Sequence, residues 1–225
     1  MPTILSVNRV HADIADGTRG RRTAIDKRPV GEPVRVGELG VEGDRQLDTR
    51  HHGGRDKAVY AYATEDLRHW SAELDRDLPP GFFGENLTLA GLDITHAVIG
   101  EQWRLGEGDL APVVEVTMPR IPCATFQRRM QEPRWVRRFT EYGAPGAYLR
   151  VVRVGVVAAG ATVSVVRRPD HGATVLDAFD RDTPEAMQAL LGAAADGRLD
   201  LAPTMRDHAE RVVGRDKTRL TPSAG

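Results

Sequence analysis

The chain has 225 residues, of which 40% are hydrophobic and 28% charged, and this ordinary globular composition excludes general disorder. Its 31 lysines and arginines are balanced by 32 acidic residues, so no excess positive charge favours binding to nucleic acid. The longest nearly apolar run, residues 154–166, is shorter than the roughly 18 residues of a membrane span, and residues 1–10 lack the features of a secretory signal. We therefore expect a cytoplasmic protein that binds neither membranes nor nucleic acid.

Short β-type runs dominate the first two-thirds of the chain. They are rich in Val, Ile, Leu, Tyr and Thr and are separated by Gly or Pro, which is the pattern of many short strands. The runs are residues 4–10, 34–36, 58–62, 86–89, 102–105, 113–118, 148–154 and 162–166. This spacing predicts a mainly β fold with peripheral helices, arranged as a barrel-like sheet or a sandwich.

Two helical regions interrupt the predicted strands. Thr64 is a plausible helix N-cap, and the apolar residues 67, 70 and 74 that follow it fall on one helix face. A second region follows Cys123, where Pro133 should divide the apolar pattern into two short helices because proline cannot continue a helix. We expect these helices to pack around the sheet.

The pattern changes from β-type to helical after residue 168. The polar segment 167–172 is the best boundary, so we predict a β-rich domain over 1–168 and a small helical domain over 173–214. Thr183, Pro184 and Glu185 supply a cap, a proline at the first helical position and an acid in the first turn. A last helix should stop at Gly214, and we expect residues 215–225 to form a disordered tail.

Cys123 is the only cysteine of the chain, so it cannot form an internal disulfide. It follows Met118-Pro119-Arg120-Ile121-Pro122, where a β-type run ends, two prolines stiffen the turn and a helical stretch begins. The exposed N–H groups of a helix start and the nearby Arg120 favour the thiolate form. The alternative is that Cys123 is only a small buried hydrophobic residue.

Two further segments combine glycines with charged or amide side chains just before a predicted strand. In residues 41–60, glycines let main-chain N–H groups approach an anion, and Arg45 and Lys57 could neutralise a phosphate. In residues 81–87, Glu85 and Asn86 stand at the start of a strand, where a turn closed by Asn86 is the simpler interpretation. Taken alone, neither segment predicts more than a turn-rich loop.

Several common site patterns are absent from the sequence. It contains no P-loop, no dinucleotide-binding glycine fingerprint and no Gly-x-Ser-x-Gly turn. The adjacent His51 and His52 point to opposite sides of an extended chain, so they do not predict a zinc pair. We interpret the arginine pairs at 128–129, 137–138 and 167–168 as solvated faces rather than sites.

Five motifs, taken in order, closely resemble the successive motifs of MOSC domains. They are Gly43-Asp44-Arg45-Gln46, His52-Gly53-Gly54, Asp56-Lys57-Ala58-Val59-Tyr60, Phe83-Gly84-Glu85-Asn86-Leu87 and Pro119-Arg120-x-Pro122-Cys123. The chain looks most like the bacterial hydroxylaminopurine-resistance branch, in which a β-rich MOSC domain precedes a small helical domain. The resemblance is strong up to about residue 166 and weaker beyond it.

The resemblance implies an enzyme that uses a molybdenum-pterin cofactor, molybdopterin, to reduce small N-hydroxylated compounds from N–OH to N–H. Cys123 matches the motif cysteine that binds molybdenum beside the pterin dithiolene, and a soft thiolate suits such a metal centre. The sequence shows no flavin or haem motif. By similarity, the electrons would come from a partner, a flavin-dependent reductase.

The other motif residues are candidates for the cofactor's surroundings. Arg45, Lys57 and Arg120 are candidates for the pterin phosphate, because a buried phosphate requires cations and N–H groups. Asp44 and Asn86 are candidates for hydrogen bonds to the ring nitrogens. The remaining candidates are His52 as a proton donor near neutral pH, and Gly43, Gly53, Gly54 and Glu85 as further positions in the cofactor-binding motifs.

Two other functions use the same residues differently. In the first, Cys123 carries a persulfide for the maturation of a metal–sulfur cofactor, which requires an exposed, mobile cysteine and a docking surface. In the second, the protein is a cofactor-free binding module with an inert cysteine. A metal ligand requires instead a pocket lined by cationic and amide groups beside the thiol, and the convergence of several motifs favours that arrangement.

Overall fold

The structure is a computed structural model that describes residues 1–47, 53–179 and 183–220, with side chains up to residue 216. The strands are β1 (Thr3–Ala15), β2 (Arg22–Pro29), β3 (Val34–Gly37), β4 (Gly40–Val41), β5 (Val59–Ala63), β6 (Leu87–Ala90), β7 (Gln102–Leu105), β8 (Val113–Pro119), β9 (Ala147–Arg153), β10 (Gly155–Val157) and β11 (Val163–Arg167). The helices are α1 (Thr64–Glu73), α2 (Ala124–Met130), α3 (Trp135–Tyr142), α4 (Val175–Phe179), α5 (Pro184–Ala195) and α6 (Pro203–Leu220).

The main sheet has eight strands in the order β11-β7-β8-β9-β5-β6-β1-β2. The β5–β6 pair is parallel, and the other neighbouring strands of this sheet are antiparallel. The long strand β1 pairs with β6 along its first half and with β2 along its second half. A smaller antiparallel sheet has the order β10-β3-β4.

The predicted mainly β fold with peripheral helices is confirmed, and every predicted run overlaps a strand. The expectation of a barrel-like sheet is only loosely met, because the sheet is not closed and β11 and β2 stand at its two ends. An isolated antiparallel bridge between Thr3 and Thr162 brings the start of β1 towards the start of β11. Strands β2, β4 and β10 were not predicted from the sequence.

The helices near the middle of the chain build an aromatic core on one side of the sheet. Helix α1 begins at Thr64, with Ala63 as its N-cap, and buries Leu67 and Trp70. Helices α2 and α3 are separated at Pro133, as predicted, and α2 ends at Gln131 in the left-handed conformation. The buried aromatic side chains of these three helices pack against one another with edge-to-face ring geometry, as in Trp70–Trp135 and Phe126–Phe139.

The C-terminal helices share the hydrophobic core of the sheet. Met187, Leu190 and Ala209 are fully buried in the cluster that also contains the sheet residues Val114 and Leu149. Helix α5 starts at the predicted Thr183-Pro184 signal. The division into domains at 168 and 173 stays a prediction.

The last helix is longer than predicted. Helix α6 continues through Gly214 to Leu220, so residues 215–220 of the expected tail are helical and only 221–225 lie outside the described residues. A glycine inside a helix costs only about 1 kcal/mol relative to alanine and does not end it without a left-handed turn. None of the helices that the structure describes is both long and apolar enough to cross a membrane.

Candidate functional site

A cavity of about 620 Å³ lies where β2, the loops before β5 and β6, and the segment from β8 to α2 meet. This volume is within the range of roughly 300–1,000 Å³ found for small-molecule and cofactor sites. Five residues selected from the sequence line it: Arg45, Lys57, Asn86, Arg120 and Cys123. The fold therefore brings four separate motifs to one cavity.

Cys123 stands between the end of β8 and the start of α2. It is the N-cap residue of α2, with an extended backbone, and its side chain is partly exposed. The segment that leads to it, from Pro119 to Pro122, lines the cavity as well. The thiol is thus held at the cavity wall by two prolines on one side and a helix on the other.

Arg120 is a buried cation, with a relative exposure of only 3%. Its guanidinium carbon lies 3.6 Å from the ring centroid of Phe126 and 5.7 Å from those of Tyr60 and Phe139. Its Nη1 is buried and has no hydrogen-bond partner in the part of the chain that the structure describes. Because leaving a buried charged donor without a partner is costly, this group fits an anion bound in the cavity.

Lys57 and Tyr148 lie beside this arginine in the cavity wall. Lys57 ends the short 3₁₀ turn Arg55–Lys57, and its Nζ lies 5.7 Å from the ring centroid of Tyr148. Burial raises the pKa of Tyr148 to about 12, although Arg120 acts in the opposite direction. The phenol is therefore protonated at neutral pH and remains a hydrogen-bond donor.

Asp44 connects the cavity wall to the sheet instead of lining the cavity. Its carboxylate accepts hydrogen bonds from Lys27 Nζ at 2.6 Å, Asn86 Nδ2 at 2.8 Å and the main-chain N–H of Val10 at 2.8 Å. Burial lowers the pKa of Lys27, and Asp44 opposes that shift. Asp44 thus orients Lys27 and Asn86, which both line the cavity.

Glu85 is fully buried beneath the same wall. It accepts hydrogen bonds from the main-chain N–H groups of Gly81 at 2.5 Å and Phe83 at 3.1 Å, and from Thr88 Oγ1 at 2.9 Å. Burial raises the pKa of this carboxyl, and the hydrogen bonds counteract the shift. In the structure Glu85 shapes the turn that places Phe83 and Asn86 at the cavity.

Of the remaining candidates that the structure describes, Arg45 lines the cavity, whereas Gly43, Gly53 and Gly54 are not among the lining residues. Arg45 is half exposed and donates to Asp13 Oδ1 at 2.8 Å. Gly43, Gly53 and Gly54 all have positive φ, a conformation that side-chain-bearing residues rarely adopt. His52 lies outside the described residues.

The structure also adds cavity residues that the sequence analysis missed. Of the described lining residues, seven are lysines or arginines and one, Asp16, is acidic. Four of the seven cations were not selected from the sequence. They are Arg21, Arg22, Lys27 and Arg128. The excess of positive charge makes the cavity suited to an anionic ligand.

The carboxyl group of Asp16, in the cavity wall, makes the stability of the fold depend on pH. The hydrogen bond from the Thr18 main chain lowers the pKa of Asp16, burial opposes the shift, and Arg128 and Arg21 contribute further lowering. A carboxyl with a lowered pKa stabilises the folded state above its unfolded pKa, and this contribution disappears as the pH falls through the lower folded value. We expect Asp16→Asn to lower the melting temperature at pH 7, with a difference that shrinks as the pH falls below about 3.9, the pKa of an Asp in an unfolded chain.

Thermal unfolding of the wild-type protein and of Asp16→Asn between pH 2 and pH 7 checks this expectation. The control is Asp109→Asn, which changes an exposed carboxylate in the turn between β7 and β8. A melting-temperature difference for Asp16→Asn that does not vary with pH would show that the carboxylate contributes no charge-dependent stability.

The sequence and the structure of this chain resemble those of several known proteins. The family model of the MOSC domain matches residues 48–164. The protein YflK of Bacillus subtilis is 35% identical over 178 residues, which cover 77% of this chain and 79% of that protein. A protein named "Reductase" from Gibberella moniliformis is 33% identical over 150 residues, which cover 65% of this chain but only 26% of that protein. The crystal structure of YiiM from Geobacillus stearothermophilus superposes with a TM-score of 0.74 at 27% identity, covering 95% of this chain and all of that one.

Proposed function

Because this chain belongs to the MOSC family, we propose that it is a molybdenum-cofactor-dependent reductase of small N-hydroxylated compounds. The observation that supports this proposal is the composition of one cavity. It combines the only thiol of the chain, Cys123, with the buried Arg120, whose Nη1 has no hydrogen-bond partner among the described residues. A soft ligand and a buried cation with an unpaired N–H group in the wall of one cavity suit a thiophilic metal attached to an anionic organic group.

The residues present fit a molybdenum-pterin cofactor. Cys123 would bind the metal, and Arg120 and Lys57 would hold the phosphate of the pterin. The Tyr148 hydroxyl would contact the ring, and Asn86 would accept a hydrogen bond through Oδ1, because its amide N–H groups donate to Asp44 at 2.8 Å and to the main-chain oxygen of Asn8 at 3.2 Å. When bound, the cofactor supplies two-electron redox chemistry that no amino-acid side chain of this protein provides.

The proposed reaction consumes two electrons and two protons for each N–OH group, and it releases the amine and one water. The electrons come from a separate flavin-dependent reductase. The protein's own task is to hold the substrate beside Cys123 and to deliver protons, and we propose His52 as the proton donor. The name of the fungal relative supports a reductive activity, although this chain spans only about a quarter of that protein.

The alternative is a sulfur carrier with a persulfide on Cys123. The thiol is partly exposed, as a carrier requires, and one nearby cation would favour its thiolate, but a carrier does not need the other cations among the seven that line the cavity. The test is reduction of an N-hydroxylated purine by the cofactor-loaded protein with a reduced viologen as electron donor. We expect conversion to the amine, and protein from a host that cannot make the pterin is the control. A loaded protein that does not reduce any N-hydroxylated compound would overturn the proposal and favour the persulfide.

Arg120→Met should weaken cofactor retention without unfolding the protein. A hydrogen bond to a charged group contributes about 1.5–3 kcal/mol, so we expect retention to fall roughly 10- to 100-fold. Methionine preserves the apolar contact with the Phe126 ring, and it removes a buried donor that has no protein partner. The pterin content, measured by fluorescence after release and oxidation, checks the first expectation and the melting temperature of the cofactor-free protein checks the second.

Arg129→Met is the matched control. Arg129 also lies over an aromatic ring, at 4.3 Å from the Phe82 centroid, and its buried Nε also has no hydrogen-bond partner among the described residues. Its Nη2 is paired with Asp26 at 3.0 Å, however, and Arg129 does not line the cavity. This variant should lower stability and leave pterin content unchanged. If Arg120→Met lowers only stability, Arg120 has a structural role and does not bind the cofactor.

A further inference from the structure

The cavity has a second cationic end, away from the residues assigned to the cofactor. Arg22 begins β2, and Lys27 lies five residues further along the same strand, which corresponds to roughly 16 Å. Both line the cavity. Lys27 Nζ is already paired with Asp44 at 2.6 Å, and the proposed cofactor contacts use Lys57 and Arg120, so the positive charge near Arg22 has no role in holding the cofactor phosphate.

Arg128 belongs to the same end as Arg22. Its guanidinium contacts Asp16, through the main-chain oxygen and through Oδ2 at 3.3 Å, and Asp16 follows the end of β1. The Asp16 carboxylate is shared with Arg21, whose Nε lies 3.8 Å away. Arg22 donates to the main-chain oxygen of Asp13, a neutral acceptor that does not compensate its charge. Positive charge therefore exceeds negative charge among these described groups.

The position of Arg128 relates this end of the cavity to the thiol. Ala124 and Arg128 are four residues apart in α2, so they lie on the same helix face and are separated by roughly 6 Å along the axis. Ala124 directly follows Cys123, and all three residues line the cavity. A small molecule that reacts beside Cys123 can therefore reach Arg128 with its opposite end.

We propose that the preferred substrates of this site carry a negatively charged group, a phosphate or a carboxylate, which Arg22 and Arg128 bind while the N–OH group faces Cys123. The proposal rests on the proposed function. The anionic group is not altered in the reaction. Arginine suits this role because its guanidinium forms paired hydrogen bonds to phosphate and carboxylate oxygens.

The first test compares substrates that differ only in charge, using the cofactor-loaded protein and a reduced viologen. One pair is an N-hydroxylated purine nucleoside with and without a 5′-phosphate, and the other is an aryl amidoxime with and without a ring carboxylate. We expect Arg128→Gln and Arg22→Gln each to lower the charged-to-neutral ratio of kcat/KM by about tenfold, mainly through KM. A ratio that falls for one pair only identifies which anion is bound, and a ratio unchanged for both pairs overturns the proposal. Arg19→Gln, an exposed arginine outside the cavity, is the control.

The second test does not depend on turnover. Binding of a purine nucleoside 5′-monophosphate to the loaded protein is measured by calorimetry, with the unphosphorylated nucleoside as reference. We expect the phosphate to strengthen binding, and Arg22→Gln or Arg128→Gln to remove that gain, whereas the control Arg19→Gln keeps it. A gain that stays unchanged in both Arg22→Gln and Arg128→Gln would overturn the proposal. If the gain depends on Arg22 and Arg128 but no N-hydroxylated compound is reduced, the anion site stands and the proposed reaction fails.

Discussion

Replacing Cys123 by serine is expected to lower the rate of N–OH reduction by more than about 100-fold, with the fold preserved. Changes to groups that only support metal ligands commonly cost 10- to 100-fold, so loss of the proposed ligand should cost more. The hydroxyl of serine is a hard, protonated group and a poor ligand for a thiophilic metal. The measurement is kcat with a reduced viologen as donor, together with the melting temperature of both proteins.

Met118→Leu is the matched control for this experiment. Met118 also lines the cavity, so the variant removes a sulfur atom from the same wall without removing a thiol. Exchange of methionine for leucine usually costs less than about 1.5 kcal/mol. If Cys123→Ser reduces substrate at a rate similar to that of Met118→Leu, Cys123 does not have the role that we propose.

Replacing Arg150 by methionine is expected to lower the free energy of unfolding by about 3 kcal/mol, the low end of the cost of breaking a buried ion pair, because only Glu115 among its three partners is itself buried and Asp200 is 65% exposed. The side chain is only 3% exposed. Its guanidinium contacts Asp200 Oδ2 at 2.5 Å, Asp56 Oδ1 at 3.1 Å and Glu115 Oε1 at 3.7 Å. These contacts join β9 and β8 to the 3₁₀ turn that carries Lys57 and to the segment before α6.

Arg55→Met provides the comparison, since Arg55 Nη1 lies 2.9 Å from the same Asp200 carboxylate. Its side chain is 64% exposed, and exposed ion pairs contribute only about 0–1 kcal/mol. Urea unfolding of the wild-type protein, Arg150→Met and Arg55→Met gives the loss in free energy of unfolding for each variant. Equal losses for Arg150→Met and Arg55→Met would contradict a buried network centred on Arg150.

Strand β2 shows why part of the fold could not be predicted from the sequence. Its sequence, Arg-Thr-Ala-Ile-Asp-Lys-Arg-Pro, has few of the β-branched and aromatic residues that mark a strand. Asp26 and Lys27 are nevertheless buried, because Arg129 and Asp44 pair with them from distant parts of the chain. Long-range ion pairs of this kind cannot be identified from local pattern. Strands with apolar side chains, such as β7 and β8, were predicted almost to the residue.

The candidate site was predictable only in part for a related reason. Motif resemblance led to Lys57, Asn86, Arg120 and Cys123, which the structure places around one cavity. Arg128 was interpreted as part of a solvated face, since an arginine pair on a short helix has no local signal of a cavity. Its position in the wall depends on the packing of α2 against β2 and on Asp16, more than one hundred residues earlier in the chain.

The molybdenum content of the protein is the most direct test of whether Cys123 binds a molybdenum cofactor. Protein from a molybdate-supplied host that makes the pterin cofactor is analysed by mass spectrometry of the metal, and wild type is compared with Cys123→Ser. We predict nearly one molybdenum per wild-type chain and a large loss in the variant. If wild-type protein contains no molybdenum when it comes from a host that loads other molybdenum enzymes, the protein is not the molybdenum-dependent reductase that we propose.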